Sequence, residues 1–163
     1  MAISVRRKSR DRASIEAYLR AVRSSKGPHA YASFLGIHEF DAASLRSRVE
    51  RGLPFASLRS LTEVMRMTLQ DTADVLFMSE RTLQRRKTEG RLHADESDRL
   101  LRLSRVFGKA IELFEGDTEA ALRWMKKPLP ALGLVSPLAM TKTEPGAIEV
   151  ERLIGRTEHG VFS

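Results

Sequence analysis

Cysteine is absent from this chain, which excludes a disulfide framework, a thiolate zinc site and a cysteine nucleophile. Long apolar runs are missing too, and the opening MAISVRRKSR lacks the apolar core of a signal peptide. A soluble, cytoplasmic protein without a membrane segment is therefore expected. Glycine, with 10 copies, and proline, with 6, are scarce among the 163 residues and mostly separate segments of helical period. No alternating strand pattern persists, so the expected fold class is all-α. The length fits one ordinary domain, or two small ones sharing a core.

Catalytic constellations are equally thin. The four histidines, at positions 29, 38, 93 and 159, are dispersed and show no metal-ligand spacing, and there is no glycine-rich phosphate loop. Carboxylates on the long helical segments mostly alternate with basic residues, as on exposed faces. Neither an enzyme, nor a cofactor, nor a metal site is expected.

The net charge of +7 is unevenly placed. Residues 1–26 hold eight basic and two acidic side chains, and residues 79–93 hold five and two. The stretches between and after them are each slightly acidic. Two basic islands on a nearly neutral body suit a polyanionic partner, and they suit basic tails and solvated helix faces equally well.

Periodicity places the elements. Ile15, Leu19 and Val22 mark a short amphipathic helix from about Asp11, stopped at Gly27-Pro28, with a mobile basic arm before it. Asp41 is suited to cap the helix AASLRSRVERG, and Gly52 with Pro54 opens FASLRSLTEVMRM. Thr68 is suited to cap LQDTADVLFM, and a tight turn at Met78-Ser79 leads into a second short helix from Glu80 to about Glu89. Two helices joined this closely suggest a helix-turn-helix. Ala73 supplies the small residue needed where the helices cross, and Leu76, Met78 and Leu83 plug the junction.

On the second helix Glu80, Arg81, Gln84, Arg85 and Thr88 share the outward face. Arginine grips guanine and glutamine grips adenine with paired hydrogen bonds, so Arg81, Gln84 and Arg85 are the candidate base readers. Ser79, as cap, leaves first-turn amides facing phosphate, and Thr82, Arg86, Lys87 and Arg91 complete the candidate DNA contacts. Two residues depart from the pattern. Phe77 lies near a turn where glycine is common, and Arg86 takes a position usually apolar, where its aliphatic stem can cover the core. A solvated helix beside a buried Leu83 accounts for the same charges.

Farther on, ADESDRLLRLSRVFGKAIELFEG forms a long helix. Leu100, Leu103, Phe107, Ala110, Ile111 and Phe114 line one face, and Leu101, Val106 and Leu113 widen it. Such breadth fits either a core helix or a dimer face. Asp117 is suited to cap TEAALRWMKK, in which Trp124 reads as a core anchor. After the turn-rich PLPALGLVSPLAM comes PGAIEVERLIGR, with Ile148, Leu153 and Ile154 inward.

These residues carry a resemblance over positions 69–163. The RTLQRRK helix, the ADESDRLLRL opening and the A-x-x-L-F of Ala110 to Phe114 come first. A-x-x-W-M-x-x-P from Ala121 to Pro128, LG-x-x-SPL and the closing T-x-x-G-A-x-x-V-x-x-L-I-G-R follow. The order closely resembles the Xre/MbcA/ParS antitoxins of type II toxin-antitoxin pairs whose toxins carry a RES domain. The resemblance implies an Xre/Cro-like helix-turn-helix N-terminal region that binds operator DNA, followed by a small helical domain that binds the toxin. It further implies a NAD-consuming toxin whose pocket is covered by the antitoxin's C-terminal part, here Thr141 to Ser163. The candidate toxin contacts there are Lys142, Thr143, Glu149, Arg152, Arg156, His159, Gly160, Val161 and Phe162, with Val161 and Phe162 as an apolar plug.

The expected division is residues 1–26 as basic arm and helix, 27–93 as the region with the helix-turn-helix, and 94–163 as the toxin-binding domain. The expected partners are a cognate RES-domain toxin, operator DNA and a second copy of the chain, since small helix-turn-helix proteins usually read paired half-sites. A stand-alone helix-turn-helix regulator, or an inhibitor whose DNA reader is disabled at Phe77 and Arg86, would share part of these features.

Overall fold

Short-range side-chain caps decide where the helices begin. In a computed structural model, Asp41 accepts the Ser44 amide at 2.8 Å, Thr68 that of Asp71 at 3.0 Å, and Ser79 that of Thr82 at 3.2 Å. Asp117 accepts the Ala120 amide at 3.0 Å and Ser136 that of Ala139 at 3.2 Å. Each satisfies an amide that the first helical turn leaves unpaired. The structure describes residues 2–23, 28–39 and 41–158, and within these the side chains from 13 to 157.

The elements are α1 (Ala2–Arg23), a 3₁₀ turn (Ala30–Leu35), α2 (Ala42–Glu50), α3 (Phe55–Val64), α4 (Leu69–Val75) and α5 (Glu80–Glu89). Then come α6 (Ala94–Leu113), α7 (Thr118–Lys126), a 3₁₀ turn (Pro130–Leu132), α8 (Pro137–Met140) and α9 (Glu144–Glu158). Among the described residues no strand occurs, only isolated bridges between Pro54 and Arg91 and between Leu129 and Val135. The all-α expectation holds. No helix among the described residues is long and apolar enough to cross a membrane.

The chain divides into two compact units, Met1–Leu101 and Arg102–Ser163. The first has a core of Phe34, Leu53, Leu58, Leu61, Met65, Leu76 and Leu92, each at most 3% exposed. Tyr18 of α1 lies on Phe34, with ring centroids 4.7 Å apart. Its chain entry to α3 is closed by backbone pairing of two turns: the Leu92 amide donates to the Leu53 carbonyl at 2.8 Å and the Phe55 amide to the Gly90 carbonyl at 2.9 Å. Gly52, at φ +81°, is required there, because a Cβ would stand 2.1 Å from the Leu92 carbonyl oxygen.

The second unit buries Leu103, Val106, Phe107, Ala110 and Ile111 of α6 with Ala121 and Met125 of α7 and Ala147, Val150 and Ile154 of α9. An ion-pair lattice joins α6 to α9. Glu144 accepts from Arg102 Nε at 2.6 Å and Arg105 Nη2 at 2.7 Å, and Glu151 accepts from Arg105 Nε at 2.7 Å.

Several sequence expectations change. Helix α1 begins at Ala2, so the basic stretch expected to be an arm has a helical backbone; Gly27, its expected stop, lies outside the described residues. Helix α4 stops at Val75 because Phe77 turns left-handed (φ +54°). On α9 the inward positions are Ala147, Val150 and Ile154, while Ile148 is 38% exposed. The buried side of the helix includes Gly146, where a Cβ would lie 2.1 Å from the Met140 carbonyl oxygen, and Ile148, two residues on, falls on the opposite side. Trp124 is only half-buried, at the edge of a ridge formed by Ala121, Leu122 and Met125, with Phe114 at 6.2 Å. The wide apolar face of α6 is largely used inside the chain, Val106 being fully buried while Leu101 and Leu113 are half-buried. The two compact units meet within α6, between Leu101 and Arg102.

Acid should loosen the second unit through Glu144. Burial pulls its carboxyl upward, but hydrogen bonds and charge from Arg105 and Arg102 outweigh that and hold it below its ordinary value of 4.5. A carboxylate with a lowered folded pKa stabilises the fold above its unfolded pKa and loses that contribution as pH falls through the folded one. Between pH 6 and 2, thermal midpoints of the chain should therefore fall from about pH 4.5 downward, and Glu144→Gln should flatten part of that fall. An unchanged pH slope in the variant would exclude this role.

Candidate functional site

The α4–α5 pair owes its geometry to a helix-ending turn with an unusual occupant. The Met78 amide reaches back to the Ala73 carbonyl at 2.8 Å and the Phe77 amide to the Asp74 carbonyl at 3.2 Å. This is the Schellman pattern, in which the residue after the helix cap is left-handed and usually glycine. Here it is Phe77, with its ring 62% exposed. A side chain in that region costs roughly 1 kcal/mol. The turn is thus formed in full despite the missing glycine. Ala73, Leu76, Met78 and Leu83 are buried at the junction, as the sequence pattern required.

Helix α5 presents Glu80, Arg81, Gln84, Arg85, Lys87 and Thr88 to solvent. Arg81, Gln84 and Arg85 lie together on the outward face by their i, i+3, i+4 spacing, and the Arg85–Glu89 approach of 4.0 Å is too long to restrain the guanidinium strongly. Ser79 is exposed and Thr82 half-buried; their hydroxyls lie 3.0 Å apart, and Ser79 holds the Thr82 amide.

Arg86 is a correction. Its side chain is 2% exposed, and no phosphate can reach it. Its Nε donates to Glu96 Oε2 at 2.7 Å and its Nη1 to Glu89 Oε2 at 2.6 Å. The hydrogen bond to Glu96 is the main reason its pKa is raised, burial acting the other way. Glu96 also accepts the His93 amide at 2.7 Å, so one carboxylate both caps the start of α6 and fixes α5 beside it. Sequence reasoning missed Glu89 and Glu96 as partners. An arginine at an apolar helical position signals that a buried counter-charge is required, but not which one.

Arg91 is exposed but anchored: its Nη1 donates to the Gly52 carbonyl at 2.6 Å and the Arg51 carbonyl at 3.3 Å. That ties the segment after α5 to the turn before α3 and leaves part of the guanidinium outward.

In the second unit the candidate contacts separate by role. The Thr143 hydroxyl takes the Gly146 amide at 3.2 Å, and the Lys142 carbonyl accepts from Arg102 Nη1 at 3.4 Å, so both shape the entry to α9. Glu149 is half-buried, 3.7 Å from Arg152 Nη1. Arg152 and Arg156 are exposed one turn apart beside the exposed Ile148. His159, Gly160, Val161 and Phe162 lie outside the described residues. Sequence reasoning also missed Leu134 and Val135, 71% and 38% exposed in the loop before α8. Their signal was the absence of any charge from Pro128 to Met140 in a chain that is 30% charged.

Comparisons with known proteins match two successive segments of the chain. Residues 44–105 match the Antitoxin Xre-like helix-turn-helix domain, and residues 109–160 match the Antitoxin Xre/MbcA/ParS C-terminal toxin-binding domain. The chain is 36% identical over 141 residues to a protein named Antitoxin Xre from Photorhabdus laumondii, covering 86% of this chain and 85% of that protein. An Antitoxin Xre from Yersinia enterocolitica is 50% identical over 84 residues, 51% of this chain and 57% of its own. A protein from a Sphingobium species named Prs ADP-ribosylating antitoxin is 23% identical over 124 residues, 71% of this chain and 78% of its own.

The Arg86–Glu96 pair can be separated from DNA contact by mutation. Glu96→Gln should lower the stability of the chain by about 2–4 kcal/mol, because it removes the buried counter-charge and leaves the guanidinium only the half-exposed Glu89. Adding Arg86→Met should recover most of that loss, and the double variant should bind DNA as the wild type does. Chemical denaturation and a DNA titration measure the two effects. DNA affinity lost with native stability would return Arg86 to the contact set.

Proposed function

The chain belongs to the Xre/MbcA/ParS antitoxin family, and we propose that it neutralises a cognate RES-domain, NAD-consuming toxin and represses its own promoter. In this reading residues 27–93 carry the DNA reader and residues 94–163 the toxin-binding domain, with the basic region 1–26 adding attraction for phosphate. The chain acts in the cytoplasm by binding, without a catalytic step of its own. The Sphingobium relative's name couples an antitoxin with ADP-ribosylation, a reaction that consumes NAD.

The observation that carries the reading is the exposed pair Arg152 and Arg156 beside Ile148 on α9, inside the segment matching a toxin-binding domain. Arginines next to exposed apolar surface are common anchors of protein interfaces. The segment from Thr141 onward would lie across the toxin's pocket, with Arg152 and Arg156 pairing with acidic or hydrogen-bonding groups at its mouth. Arg81, Gln84 and Arg85 read base edges, while Ser79, Thr82, Lys87 and the outer part of Arg91 meet backbone. A homodimer would place two such helices on paired half-sites and let the toxin-to-antitoxin ratio tune repression through linked binding.

Co-expression with a cognate RES-domain toxin tests the first half: growth should be restored and the two proteins should co-purify. The Arg81→Ala, Arg85→Ala double variant should bind its own promoter at least roughly tenfold more weakly, while still restoring growth. Truncation after Gly155 should keep promoter binding and lose neutralisation. Growth arrest with the intact chain present would reject the antitoxin reading for that toxin. Undiminished promoter binding by the arginine variant would reject the DNA reader.

A further inference from the structure

The loop between α7 and α8 combines three properties that do not usually coincide. It is internally hydrogen-bonded: the Leu132 amide donates to the Leu129 carbonyl at 3.0 Å, that of Gly133 to Pro130 at 3.0 Å, that of Leu134 to Leu129 at 2.9 Å, and that of Leu129 back to Val135 at 3.2 Å. It is uncharged from Pro128 to Met140. Its tip exposes Leu134 (71%) and Val135 (38%).

The backbone of Leu134 makes the exposure informative. Its φ is +63°, immediately after Gly133 at +66°. Among the described residues the other non-glycine left-handed positions are Arg66, Phe77 and Glu115, and each ends a helix. Leu134 does not, because Gly133 already supplies the left-handed residue that closes the 3₁₀ turn. The fold therefore gains nothing visible from a leucine there. Glycine would relieve the strain and remove exposed apolar surface at once. A strained, exposed, preorganised apolar side chain is the chemistry of an interface anchor.

We propose that Leu134, with Val135 beside it, is an apolar anchor that inserts into an apolar cleft of the toxin, as a second contact in addition to the exposed face of α9. The occupant follows from position: the loop lies in the middle of residues 109–160, the segment matching the toxin-binding domain, and the proposal rests on the reading that this chain binds a RES-domain toxin. Lys126 and Lys127, exposed just before the loop, fit an acidic rim on that cleft. The anchor would set which toxin is accepted, since a shape-matched pocket discriminates partners by what it fails to fill.

Two variants of the full chain test this in titrations with the RES-domain toxin that the wild-type chain neutralises. Leu134→Ala removes the anchor and keeps the strain, whereas Leu134→Gly removes both. Both should weaken toxin binding by roughly tenfold or more. The glycine variant should melt at or above the wild-type temperature and above the alanine variant, and both should bind promoter DNA unchanged. Wild-type toxin affinity in Leu134→Gly overturns the proposal, including the case in which only self-association changes and a second copy is the occupant. Weakened binding together with a lowered melting temperature in Leu134→Gly overturns it too, by giving the leucine a structural role. If the wild-type chain itself fails to bind the toxin, the proposed function falls, and the anchor with it.

Discussion

The placement of α5 depends on a backbone closure between two distant turns. Leu92 and Phe55 exchange hydrogen bonds with Leu53 and Gly90 across some forty residues of sequence, and Gly52 permits it by having no Cβ. Ser97 reinforces the closure by taking the Leu53 amide at 2.8 Å, and Arg91 by holding the Gly52 carbonyl. With its first turn capped by Ser79, its middle paired through Arg86 and its last turn fixed here, α5 is restrained along its whole length. The proposed role of α5 in reading bases would need that restraint, because base edges are recognised by geometry at hydrogen-bond resolution.

The two units fix their parts by different chemistry. In the first, one buried guanidinium and one buried carboxylate pin a helix whose outer face stays open to solvent. In the second, half-buried arginines of α6 converge on Glu144 and Glu151 of α9, over a mostly aliphatic core. Half-exposed pairs of this kind are worth little singly and gain by sharing partners. They also orient α9 so that the residues not used in the lattice, Ile148, Arg152 and Arg156, face outward.

What the sequence made legible was local. Asp41, Thr68, Ser79 and Asp117 act within three residues of themselves, so the helix starts could be read directly. Helix ends were harder, because Arg66, Phe77 and Glu115 occupy left-handed positions where glycine is the usual signal. The face of α9 was misread at Ile148 because hydrophobicity alone ranks isoleucine above Ala147 as a core residue. The buried face instead runs through Ala147, Val150 and Ile154, next to a Gly146 that approaches the Met140 carbonyl too closely for any side chain. On α5, the outward placement of Arg81, Gln84 and Arg85 was legible from helical spacing. Arg86 was not, since its role depends on a carboxylate ten residues farther on.

The burial of Arg86 also bears on how the protein responds to ionic strength. Each phosphate neutralised by a side chain releases condensed counterions, and each adds about 0.9 to the slope of log affinity against log salt. A charge already compensated by Glu96 and Glu89 releases none. The basic island at residues 79–93 therefore titrates against salt as a smaller cation than its five positive side chains suggest. In the proposed DNA-bound state, the salt slope that this island contributes is correspondingly shallower.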